Sequence, residues 1–163
     1  MTDVIDILAG LTPDESAELR GHRPDVVASA QASYDALLPA TLDDDPVPGL
    51  TLDERNFIAL RAAIDEQAPS AVAHYSGRTS LVELATEGPN GQLGLEASRR
   101  LRAILRHTDL LVLRPAASTA SDLAGLKAAG LDDAEIVVLS QIASFVSFQV
   151  RIAHGLTVLK GTR

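Results

Sequence analysis

Ser70 and His74 stand four residues apart, directly behind Pro69, in the segment Gln67-Ala68-Pro69-Ser70-Ala71-Val72-Ala73-His74-Tyr75. If that segment is helical, the hydroxyl and the imidazole share one face, one turn apart. Glu54 opens an earlier segment, Asp53-Glu54-Arg55-Asn56-Phe57-Ile58-Ala59-Leu60. Carboxylate, imidazole and hydroxyl are the groups used in general acid–base and nucleophilic chemistry. A Ser-His-Glu hydrolase also needs an oxyanion loop, and neither that loop nor a Gly-x-Ser-x-Gly elbow accompanies Ser70. Glu54 and His74 alone would suffice for acid–base work on a small organic acid or lactone. The competing reading is structural. Glu54 is then the fourth residue of a capping box begun by Thr51, and His74 and Gln67 hydrogen-bond in a polar core pocket.

Other chemistries are narrowed by composition. The 163 residues contain no cysteine, which excludes disulfides, thiolate metal sites and every thiol redox mechanism. His22, His74, His107 and His154 are scattered without paired ligand spacing, so no metal and no cofactor is implied. A net charge of −8 disfavours a nucleic-acid partner. Residues 1–66 hold 14 acids against four arginines, whereas residues 67–163 are slightly basic. Arg99, Arg100, Arg102 and Arg106 read as a solvated helix face, and Arg151 and His154 as structural or surface residues of the last helix.

Helical segments must position these groups. Thr12-Pro13-Asp14-Glu15, Thr51-Leu52-Asp53-Glu54 and Asp132-Asp133-Ala134-Glu135 are capping boxes, the first with proline at the first helical position. Hydrophobic spacing predicts helices near 3–9, 13–21, 24–38, 52–66, 69–86, 95–112, 119–129 and 133–159, with no strand pattern. Loops are expected at 39–49, around Asp43 to Asp45, and at the glycines and proline of 88–94. With aromatic residues at 3%, the core must come from Leu, Val, Ile and Ala. The fold class is all-α. The acidic start lacks the Lys or Arg of a secretory signal, and the uncharged run 136–150 falls short of the ~20 residues of a membrane span. A cytoplasmic protein without membrane association is expected.

The segments around Glu54 and His74 resemble the central helix pair of the carboxymuconolactone decarboxylase and alkylhydroperoxidase D-like superfamily. Redox-active members carry a Glu at the first helix and Cys-x-x-Cys-x-x-x-His at the second. Counting back from His74 puts Ser70 and Gln67 at the cysteine positions, and Glu54 falls on the family glutamate. The tail, Gly125-Leu126-Lys127-Ala128-Ala129-Gly130-Leu131 through Phe145-Val146-Ser147-Phe148-Gln149-Val150-Arg151, is similar to the ending of the peroxidase-related branch. The opening residues look like a cysteine-lacking subgroup of it.

The resemblance implies one alkylhydroperoxidase D-like domain over 1–163, a multi-helix bundle with an N-terminal helical extension (1–50) before its core (51–163). It implies Glu54 and His74 as candidate catalytic residues, with Gln67, Ser70 and Tyr75 lining their pocket. Serine cannot form a sulfenic acid or a disulfide, so a thiol peroxidase is excluded. Two functions remain: a non-redox binding or structural subunit, with a cysteine-bearing relative as one candidate partner, or a cysteine-independent acid–base enzyme. A homodimer or higher assembly is expected, with the 133–159 or the 69–86 helix at the interface.

Overall fold

In the computed structural model, residues 3–42, 49–87 and 98–162 are described, and among them all regular structure is helical. The helices are α1 (Val4–Ala9), α2 (Pro13–Arg20), α3 (Pro24–Leu37), α4 (Leu52–Asp65), α5 (Pro69–Ser76), α6 (Val82–Thr86), α7 (Arg99–Leu113), α8 (Ala120–Ala128) and α9 (Asp133–Gly161). A one-turn 3-10 helix, Pro115–Ala117, follows α7. The expected loop tips at 43–48 and 88–94 lie outside the described residues.

Local chemistry accounts for most helix starts. Capping boxes close at Thr12/Glu15, Thr51/Glu54 and Asp132/Glu135 as the sequence predicts. A fourth forms at Thr119, with Asp122 in the role usually taken by Glu. Asp3 caps α1 through the amides of Ile5 and Asp6.

The helix predicted over 69–86 is instead two helices, α5 and α6. The chain leaves α5 at Gly77, and Asp53 of α4 then captures the turn. The Asp53 carboxylate accepts from the Thr79 hydroxyl at 2.7 Å, the Ser80 amide at 2.7 Å and the Ser80 hydroxyl at 2.5 Å. These bonds hold the Asp53 carboxyl below its usual range against the opposing effect of burial. A side chain from another helix outcompetes continued helix here.

α4 is the central element and packs against α5, α6, α7 and α9. Every residue from Glu54 to Ala63 is buried. Ala59, Ala62, Ala63 and Ala143 bring backbones close, so a core with few rings still packs densely. α9 buries Leu139, Ile142, Ala143, Val146, Ala153 and Leu156 against α4, α7 and α1. Its opposite side is exposed. By length and composition alone α9 is long and apolar enough to cross a bilayer, a test that the core helix of a bundle also passes. α1 and α3 pack onto the same bundle.

Candidate functional site

The corner between α4 and α5 turns at Gln67, whose φ of 53° places a non-glycine residue in the left-handed region. The chain then runs through Ala68 into Pro69, the first residue of α5, and no side chain caps this helix. The corner opens onto a cavity of about 550 Å³ bounded on its far side by α9. Glu66, Gln67, Ser70, Arg151, His154 and Thr157 supply its polar wall, and Leu8, Pro69, Val150 and Ala153 are among its apolar residues. Arg151 donates to Glu66 at 3.3 Å and is otherwise open to solvent. The two residues standing at the expected cysteine positions therefore do line one cavity.

His74 and Tyr75 do not belong to it. His74 Nε2 bonds the Tyr34 hydroxyl of α3 at 2.9 Å, and its ring meets Tyr75 edge-on at 4.9 Å. The Arg78 guanidinium lies 5.7 Å from the Tyr34 ring centroid. Burial, reinforced by the Arg78 charge, holds the His74 imidazole below its ordinary pKa. Tyr75 is fully buried and donates to Gln149 Oε1 at 2.6 Å, and burial raises its phenol far above the ordinary range.

Glu54 is bonded elsewhere, in the capping box of Thr51 and to Arg100, and not to His74. Its Oε2 accepts from the Thr51 amide at 3.0 Å, and its Oε1 from Arg100 Nε at 2.6 Å. Arg100 also donates to Glu135 Oε1 at 2.6 Å and to the Gly130 carbonyl at 3.1 Å. One guanidinium thus ties together the two glutamates that cap α4 and α9. Gly49 sits against this clasp at φ 126°, where an added Cβ would fall 2.4 Å from Glu135 Oε1. No hydrogen bond joins Glu54 to His74 among the described residues. The physical reason is proximity: a glutamate three residues into a helix reaches its own cap, and α7 brings a cation to the other oxygen.

His74 should accordingly titrate independently of Glu54. Glu54→Gln should leave the ring titration of His74 unchanged by NMR, whereas Arg78→Ala should raise its pKa by removing a neighbouring cation. A drop in the His74 pKa of the Glu54→Gln protein would show that the two groups are coupled.

Sequence reasoning missed four participants. Arg100 was indistinguishable from its neighbours on a basic face. Tyr34 lies 40 residues from His74 in a different helix. Arg151 and His154 belong to the cavity only because α9 runs past α5.

Comparison with known proteins agrees on the fold. The alkylhydroperoxidase AhpD core of Ralstonia eutropha JMP134, an uncharacterised peroxidase-related protein, superposes with a TM-score of 0.65 at 23% identity. The match covers 91% of this chain and 85% of that one. Neither a protein-family model nor a curated protein matches the sequence. The chain therefore has the all-helical AhpD-like fold.

Proposed function

We propose that this protein is a non-redox member of the AhpD-like fold that binds a small organic acid in the cavity between α5 and α9. The observation that carries the reading is the cavity itself. It lies at the positions where redox-active proteins resembling this one hold their cysteines, and here Gln67 and Ser70 line it. A cysteine-free chain has no group to form a sulfenic acid or a disulfide with a peroxide. The apolar wall suits a hydrocarbon body. Arg151, His154 and the Ser70 hydroxyl supply donors for a carboxylate at one end. Acid–base catalysis by Glu54 with His74 has less support, since each is hydrogen-bonded to a different partner.

Titration with sodium benzoate as a probe, followed by amide NMR, tests the reading. Saturable shifts should appear at Gln67, Ser70, Ala71, Ala153 and His154. Benzyl alcohol, which lacks the carboxylate, should bind more weakly. Arg151→Ala should weaken benzoate by about tenfold, the worth of one charge-assisted hydrogen bond. Hydroperoxide turnover by the metal-free protein with dithiothreitol would overturn the proposal, as would shifts confined to other surfaces.

A further inference from the structure

The outward side of α9 is a long, largely apolar face that no other described element covers. Val137 is 54% exposed, Phe148 40%, Ile152 40% and Leu159 52%, values far above those of core residues. On the same face between them lie the exposed Gln141, Ser144 and Gly155. The spacing along this face is 4, 3, 4, 4, 3, 4 residues, which reads the same from either end with Phe148 at the centre. We propose that α9 pairs antiparallel with α9 of a second copy of this chain, about a twofold axis passing beside Phe148.

Three observations select that occupant. In the antiparallel register each large side chain meets a small or complementary one: Val137 faces Leu159, Ser144 faces Ile152, and Gln141 faces Gly155. Phe148 faces its own equivalent, as a residue on a twofold axis must. Next to the axis, a shallow cleft of about 300 Å³ runs between Val26 and Ala30 of α3 and the Phe145–Phe148 ring stack.

Charge and area agree. The chain carries −8 overall, yet α9 has no carboxylate after Glu135, so the face avoids the repulsion that acidic surfaces of two copies would exert. Its 29 residues extend for ~43 Å. Two such faces in contact bury on the order of 1,200 Å², enough for a specific interface. Gln141 and Ser144 in the middle of the stripe suit a protein partner, where they find hydrogen bonds, better than lipid, where they find none.

Light scattering at micromolar concentration should give twice the 17.2 kDa of one chain. Phe148→Glu should halve that mass while leaving the helical circular dichroism unchanged, since the residue is exposed within one chain. Because the protein has no cysteine, single-cysteine variants report the register cleanly, and Gly155 has open space for a side chain. A mixture of Gln141→Cys and Gly155→Cys proteins should cross-link with a short bismaleimide, and Gln141→Cys alone should not. A monomeric wild-type mass would overturn the proposal, including the case of a monomer that pellets with phosphatidylcholine vesicles. So would self-cross-linking of Gln141→Cys, or a dimer that persists in Phe148→Glu.

Discussion

Arg61→Ala should destabilise the protein by about 3–5 kcal/mol, a large share of the total stability of a domain this size. Arg61 is 2% exposed, in the middle of α4. Its Nε donates to Asp109 at 2.5 Å and its second amino group pairs with Asp65 at 3.1 Å. The remaining amino group donates to the carbonyls of Ala85, at 3.0 Å, and Glu87, at 2.5 Å, and so holds the end of α6. Truncation leaves two buried carboxylates without a cation and two carbonyls without a donor. Arg61→Lys keeps the charge but not the fork, and should recover only part of the loss. Replacing Arg61, Asp65 and Asp109 together by Met, Leu and Leu removes the charges as a set and should cost less than Arg61→Ala alone. Urea denaturation followed by circular dichroism orders the three. A triple variant less stable than Arg61→Ala would show that the network contributes more than mutual neutralisation.

How much of this was legible in the sequence depends on how local each interaction is. Thr12, Thr51 and Asp132 were readable as caps because box and partner lie within four residues. Thr119 escaped because Asp122, one methylene shorter than the usual glutamate, does not match the pattern. The break between α5 and α6 was hidden for a different reason. Residues 69–86 are compatible with helix, and the stop comes from Asp53, 27 residues before Ser80. The fold class survives such errors, since splitting one helix leaves an all-α bundle.

The candidate site divides along the same line. Gln67 and Ser70 share one cavity because one turn of chain joins them, but it is not shared with Glu54, His74 or Tyr75. Glu54 and His74 were paired by analogy of position, and spacing along the chain says nothing about competing partners. Thr51, Arg100 and Tyr34 supplied those partners. The Arg61–Asp65 pair, at i and i+4 on one helix, is visible in the sequence. Asp109, which makes it a buried cluster, is not.

That cluster gives the second large effect, a dependence of stability on pH. Burial raises Asp65 to about 7, the Asp109 carboxylate adds to the rise through a hydrogen bond and its charge, and Glu66 contributes in the same sense. Arg61 opposes the shift without cancelling it. Two carboxylates facing one guanidinium leave a surplus negative charge, and a proton held between Asp65 and Asp109 removes it. Each has one oxygen that finds no other hydrogen-bond partner. The folded protein thus binds a proton more tightly than the unfolded chain, whose Asp65 has its ordinary value of 3.8. Stability from this proton is fully present below about 4 and is lost as pH rises through about 7. His74 and His107, both held low by burial, act in the opposite sense, their folded forms favouring the neutral ring as pH rises toward 6.5. They are common to wild type and variant and cancel in the difference. Asp65→Asn keeps a neutral donor beside Asp109 at every pH. Its stability relative to wild type should therefore climb from near zero at acid pH to a gain of roughly 2–3 kcal/mol above neutrality. Parallel urea midpoints for the two proteins across that range would mean that no proton is shared between Asp65 and Asp109.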